Sequence, residues 1–224
     1  MPHLALHRST RQLFAAVALI ATASVLMSGC NLAAAGAVLF SGPKTVEVQA
    51  VYTGLANQRI AVLVAADDTT LFHFPQAPKR LTESVLVAIA SALPQATLLR
   101  PDAAMLYVER NPYWATRRPS AIMSELKVDR LVTLDLNQYS THEPGNRHVF
   151  RGTIDASVSV CEADGVTPDN RVFDQVVHTE FPDRSSEFGL INGEEDQIQE
   201  AVIKIFSDQV AKLFHDHTLT LPAH

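Results

Sequence analysis

Apolar positions fall into two kinds of run along this chain, continuous in the first half and alternating in the second. Residues 59–66 are apolar after Arg59, with polar residues before them and Asp67-Asp68 after them. An uninterrupted run of this length predicts a central strand buried on both faces. Leu81, Val85, Ile89 and Leu93 recur four apart and predict a helix that Pro94 ends. Between the two, Phe72, Phe74 and Pro75 read as an apolar loop. Residues 96–99 read as a second, short strand, so strand, helix and strand follow in the order that gives parallel pairing. Upstream, residues 45–52 alternate and predict an edge strand that Gly54 ends.

Two short helices come next. One is capped by Asp102 and runs through Tyr107 and Val108 to Asn111-Pro112; the other covers residues 120–128. Residues 130–136 predict a third strand. Beyond it Phe150, Gly152, Ile154, Ala156, Val158 and Val160 fall on one side, with Arg151, Thr153, Asp155, Ser157 and Ser159 on the other. Phe173, Val177 and Phe181 continue the alternation after a turn at 164–170. One-sided alternation predicts an antiparallel hairpin with a solvated face. Asn192 and Glu195 look like a capping pair for a last helix with Ile198, Val202, Ile205, Phe206, Val210 and Leu213 on its apolar side. In that helix Glu200 with Lys204 and Asp208 with Lys212 stand at the favourable four-residue spacing. The elements predict one α/β domain over 45–217, its mixed sheet parallel first and antiparallel later, covered by helices mainly on one face, with a flexible tail at 218–224.

The amino-terminal stretch has a different character. Arg8 and Arg11 precede an apolar run over 13–27, which is short of the ~20 residues of a spanning helix. Ser28 and Gly29 then lead to Cys30. Basic, apolar and small-residue elements in this order mark an export signal. Leu26-Met27-Ser28-Gly29-Cys30 resembles the lipobox of bacterial lipoproteins, with Met27 where Leu is usual. The resemblance implies a signal peptide over 1–29, a diacylglyceryl group on the Cys30 thiol and a lipidated tether over 30–44. Each buried methylene contributes about 0.8 kcal/mol, so two or more chains hold a protein firmly on a membrane. Asn31, rather than Asp, follows the cysteine, which implies the periplasmic face of the outer membrane.

Composition narrows the partners. Losing Arg8 and Arg11 with the leader leaves 16 basic against 24 acidic residues, a formal charge of −8. Such a chain lacks the basic face that nucleic acid demands. With Cys30 acylated, Cys161 has no disulfide partner.

Candidate chemistry is sparse. Asp67-Asp68 stands where α/β sheets place ligands, yet no glycine-rich phosphate loop follows, and a turn explains it better. His215-Asp216-His217 has a spacing that points the imidazoles apart on a helix, unlike the four-residue spacing of helical metal ligands. His142, Glu143 and His148 read as part of a flexible turn at Pro144-Gly145, and Ser140, His142 and Asp155 lack a nucleophile-elbow context. Cys161 falls on the polar side of its strand without an adjacent base. No catalytic residue, metal or cofactor is expected. The most unusual surface candidate is the loop holding Tyr113, Trp114, Arg117 and Arg118, residue types enriched in binding hot spots. Its rival reading puts Trp114 in the core.

The order of elements from Arg59 to His217 resembles the domain shared by the amino-terminal part of the Tol translocation protein, the curli secretion lipoprotein and the lipoprotein activators of penicillin-binding proteins. It implies a non-catalytic accessory or assembly factor that binds an envelope protein. An oligomeric subunit of a secretion or transport machine is the alternative, and a hydrolase a third.

Overall fold

The structure, a computed structural model, describes residues 45–183 and 194–220. The leader, Cys30, the tether, Asn192 and residues 221–224 lie outside the described residues. In chain order the elements are β1 (Thr45–Val48), β2 (Arg59–Ala66), α1 (Asp68–His73), α2 (Ala77–Ala92), β3 (Thr97–Leu98), α3 (Pro101–Arg110), α4 (Pro119–Leu126), β4 (Arg130–Glu143), β5 (Asn146–Glu162), β6 (Arg171–Phe181), α5 (Glu195–Lys212) and β7 (His217–Thr220).

The five-stranded sheet has the order β3-β2-β4-β5-β6. Its first half is parallel, Ile60 to Ala66 running beside Arg130 to Leu136. Its second half is antiparallel, β5 pairing with β4 on one side and β6 on the other. This mixed sheet is the α/β fold that the change from continuous to alternating apolar runs predicts.

Two apolar layers explain the two patterns. On one face α2 and α5 lay Leu81, Val85, Ile89, Val202, Phe206 and Val210 over Ile60, Val62, Val132, Leu134, Ile154 and Val158. On the other face, under the parallel half and the end of β5 beside it, Tyr107, Trp114, Ile122 and Met123 cover Ala61, Leu63, Leu131 and Cys161. β2 is therefore buried on both sides and needs an unbroken apolar run. Contact between β5 and α5 is close at Gly152, where a Cβ would stand 2.8 Å from Val202 Cβ. Only glycine fits beneath the helix there without repacking.

Several elements depart from expectation. The apolar loop before α2 is mostly the short helix α1, and Asp67 caps it by accepting from the Thr70 amide at 2.8 Å. Asp102 stands inside α3, with Arg100 at the cap position; its carboxylate pairs with the Arg100 guanidinium. α4 ends at Lys127 in the left-handed region, φ 56°, which stops the helix two residues before Asp129. β4 continues to Glu143 and β5 starts at Asn146, so His142, Glu143 and His148 are strand residues. Pro144 and Gly145, the latter at φ +79°, form the tight connection. In α5 the cap is Glu194, Ile203 is buried where Ile205 was expected, and Lys204 pairs with Asp208 at 3.0 Å.

β1 and β7 make a two-stranded sheet of their own. Thr218, Leu219 and Thr220, expected in a flexible tail, are strand because alternating Thr-Leu-Thr suits an extended backbone. The strand expected over 45–52 stops at Val48. Beyond it the amides of Val51 and Tyr52 both donate to the Leu213 carbonyl, at 2.8 and 3.0 Å, which draws the backbone away from strand pairing.

Candidate interaction surface

The side chains singled out for chemistry do not converge. Ser140 pairs with Thr153 across the strands, while Asp155 stands opposite Gln138. His142 Nδ1 lies 2.9 Å from Thr141 Oγ1, and the Thr141 hydroxyl donates to Glu195 at 2.8 Å. The Asp155 carboxylate accepts from Asn137 and lies 3.5 Å from His178 Nδ1. No relay from serine to histidine to carboxylate exists in this arrangement. His215 Nδ1 is 2.8 Å from the Ala211 carbonyl, His217 Nδ1 is 3.2 Å from that of His215, and Asp216 accepts from the Ala50 amide. All three side chains fasten the end of α5. Among the described residues no group of three His, Cys, Asp or Glu could hold a metal ion. Asp67, hydrogen-bonded by Thr70, holds its carboxyl below the ordinary carboxylate range. It is occupied as a helix cap.

Cys161 corrects the sequence reading. Its register is that of the polar side, but that side is covered here by Trp114 and Ile122, and the thiol is 3 % exposed. Burial pushes it above its ordinary pKa, which keeps it a neutral, weak nucleophile. The polar side itself is only partly solvated. Arg151, Thr153 and Ser159 are all buried, with Arg151 held by Glu143 and by the Pro182 carbonyl.

The loop between α3 and α4 divides into two pairs. Trp114, in a short 3-10 turn, is 5 % exposed and packs into the second apolar layer. Arg117 donates to the Tyr107 hydroxyl at 2.9 Å, to Asn111 Oδ1 at 3.1 Å and to Glu125 Oε2 at 2.9 Å. The Arg117 hydrogen bond holds the Glu125 carboxyl below its ordinary range, so this is a charged clamp across the loop. Tyr113, 81 % exposed, and Arg118 remain at the surface. The four residues therefore form no single patch: two hold the loop together and two face solvent.

A different surface emerges beside it. Leu71 and Phe72 of α1 and Leu106 of α3 are 41 %, 81 % and 44 % exposed. A groove of about 660 Å³ runs between α1, the start of α2 and α3, floored by Leu71, Pro75, Pro78, Met105, Leu106 and Val108. Its rim carries Glu83, Asp102 and Glu109 against one cation, Lys79. α1 directly follows the carboxyl end of β2, the position where open α/β sheets expose their loops to ligands. Exposed apolar side chains beside a groove with charged lining residues make this the candidate interaction surface. The sequence signal was present in Leu71 and Phe72, but a six-residue helix is too short to show a period.

No family profile matches the sequence, and neither does any curated protein. Among solved structures the chain is similar to the PelC dodecamer of Paraburkholderia phytofirmans, at 5 % identity and a TM-score of 0.47, over 77 % of this chain and 98 % of that one. It is similar also to the lipoprotein GNA1162 of Neisseria meningitidis, at 11 % identity and 0.45, over 68 % and 97 % of the two chains. Protein XCC0632 of Xanthomonas campestris follows at 13 % identity and 0.44, over 76 % and 88 %.

Proposed function

We propose that this chain is a lipid-anchored cell-envelope protein without catalytic activity, which holds an apolar segment of an envelope protein in the groove between α1, α2 and α3. The carrying observation is the exposure of Leu71 and Leu106, which line that groove, with Phe72 exposed next to Leu71 on α1. Burying a large apolar side chain contributes about 1.5–3 kcal/mol, so the two leucines give a partner a reason to stay. Three rim carboxylates against one lysine, on an acidic chain, favour a segment with Lys or Arg on its flanks. The ordered signal elements ending at Cys30 support the anchor. The likeness of element order to the Tol, curli-secretion and penicillin-binding-protein-activator domains supports an envelope partner.

Photo-crosslinkers placed at Leu71, Leu106 and, as a control, the fully exposed Val166 test the groove in living cells. The expected result is one identified adduct at Leu71 and Leu106, joined through an apolar segment with basic flanks, and none at Val166. Leu71→Ser with Leu106→Ser should abolish it while the melting temperature holds. Equal adducts at all three sites, or none, overturn the reading. Mass analysis of the mature amino terminus checks the anchor separately: any first residue other than an acylated Cys30 removes it.

A further inference from the structure

β6 is the last strand of the five-stranded sheet, and among the described residues no strand pairs with its outer side. It is long for an edge, eleven residues bound to β5 from Arg171 to Phe181. Natural sheets blunt such edges with proline, with lysine and other charges, with bulges or with short length. The β6 sequence Arg-Val-Phe-Asp-Gln-Val-Val-His-Thr-Glu-Phe has no proline or lysine, its register shifts only near Arg171, and its charges are mixed in sign, Arg171 with Asp174 and Glu180, rather than repelling a copy uniformly. Its side chains on the face away from α2 and α5 are half exposed and paired only within their own chain, Asp174 accepting from Arg171 at 2.9 Å and His178 lying 3.5 Å from Asp155 and 3.4 Å from Glu180. Val176 is 57 % exposed, and the side chains of Asp174 and His178 are 47 % and 53 % exposed.

We propose that β6 pairs antiparallel with β6 of a second copy, about a twofold axis at Val176, joining the two sheets into one. Directly opposite residues in an antiparallel pair share a face and interact. With the axis at Val176, the two exposed valines meet each other and Asp174 of each copy meets His178 of the other. The acid–valine–histidine spacing is its own complement. Shifting the axis by two residues toward the amino end sets Asp174 against Asp174; shifting it the other way sets His178 against His178. Of these registers, the one centred on Val176 alone sets Asp174 against His178, with Glu180 opposite Val172. The contact is isologous, as twofold interfaces are. It does not depend on the groove, which lies by α3 at the other side of the sheet, where α3 packs on β2.

The test uses full-length protein in mild detergent, with mass measured by light scattering across a concentration series. Wild type should be dimeric at micromolar concentration. Asp174→Arg alone sets arginine against His178, and His178→Glu alone sets glutamate against Asp174. Each variant by itself should raise the dimer dissociation constant at least tenfold. Mixed, the two are complementary at both positions and should restore dimerisation. Val176→Cys should form a disulfide dimer on mild oxidation. A monomeric wild type, dimers that neither variant weakens, or a mixture no tighter than its components overturns the proposal. Capture of another protein by the Val176→Cys variant, in place of its own copy, overturns it too and assigns the edge to a donated strand.

Discussion

Replacing Trp114 with alanine distinguishes an indole that holds the fold from one that holds a partner. Trp114 is 5 % exposed and is the largest side chain of the layer formed with Tyr107, Ile122, Met123, Leu131 and Cys161. Truncating a buried large aromatic costs about 3–5 kcal/mol. The site borders a cleft of about 100 Å³ that it shares with Arg117, Thr133 and Asp135. Removing the indole therefore widens an existing opening that water can enter, which puts the expected loss near the lower end, about 3 kcal/mol. At ~2–4 °C per kcal/mol for a domain of this size, the melting temperature should fall by roughly 6–12 °C. Thermal melts and urea titrations of the same preparation measure it, the second with an unchanged slope if the transition stays two-state. A fall of less than ~2 °C with the partner lost would refute the burial argument and return Trp114 to the binding surface.

Three further outcomes follow from packing and charge. Gly152→Ala should destabilise by about 1–3 kcal/mol, because its methyl enters Val202; adding Val202→Ala should return part of that loss, and strict additivity in the double variant would refute the clash. Hydrogen bonds from Arg59 hold the Asp129 carboxyl below the carboxylate range, as those from Arg130 hold Asp164. Since the folded pKa values are lowered, this stability is whole above the unfolded value of about 3.9 and is lost as pH falls through the folded values. Urea midpoints should decline below about pH 4, and Asp129→Asn should flatten that decline; an unchanged acid slope in the variant contradicts the assignment. Arg130→Met should destabilise by roughly 1.5–3 kcal/mol, since the 7 %-exposed side chain joins the Gly54 carbonyl to Glu162 and to the largely exposed Asp164. A loss below ~1 kcal/mol in urea titration would show those partners to be solvated enough to do without it.

What the sequence reveals depends on how local each cause is. β2 and α2 announce themselves because burial repeats along a single element: both faces of one strand, one face of one helix. The turn from parallel to antiparallel pairing is legible for the same reason, in the alternation from Phe150 to Val160. Trp114 and Cys161 are different. Cys161 is covered by Trp114 and Ile122, from chain more than thirty residues away, and Trp114 lies against Ala61, Leu63 and Leu131 of two strands; no periodicity records such a cover. The alternation placed Cys161 on the polar side correctly, but where α4 lies over that side, polar register and solvent part company. The groove was missed on similar grounds. Leu71, Phe72 and Leu106 look like ordinary apolar residues until their neighbours are known, and only then does their exposure become informative.

The sheet's two edges differ in a way that governs how far assembly can go. β3 contributes two residues, too short to template a neighbouring strand, whereas β6 offers eleven. A contact that uses β6 on both copies leaves no comparable edge on the five-stranded sheet for a third. Growth by strand addition therefore terminates at a pair, and a fibre would need a second sticky edge that β3 does not supply. With the proposed tether at Cys30, crowding in two dimensions would favour runaway association, and the short strand would act as a chain terminator.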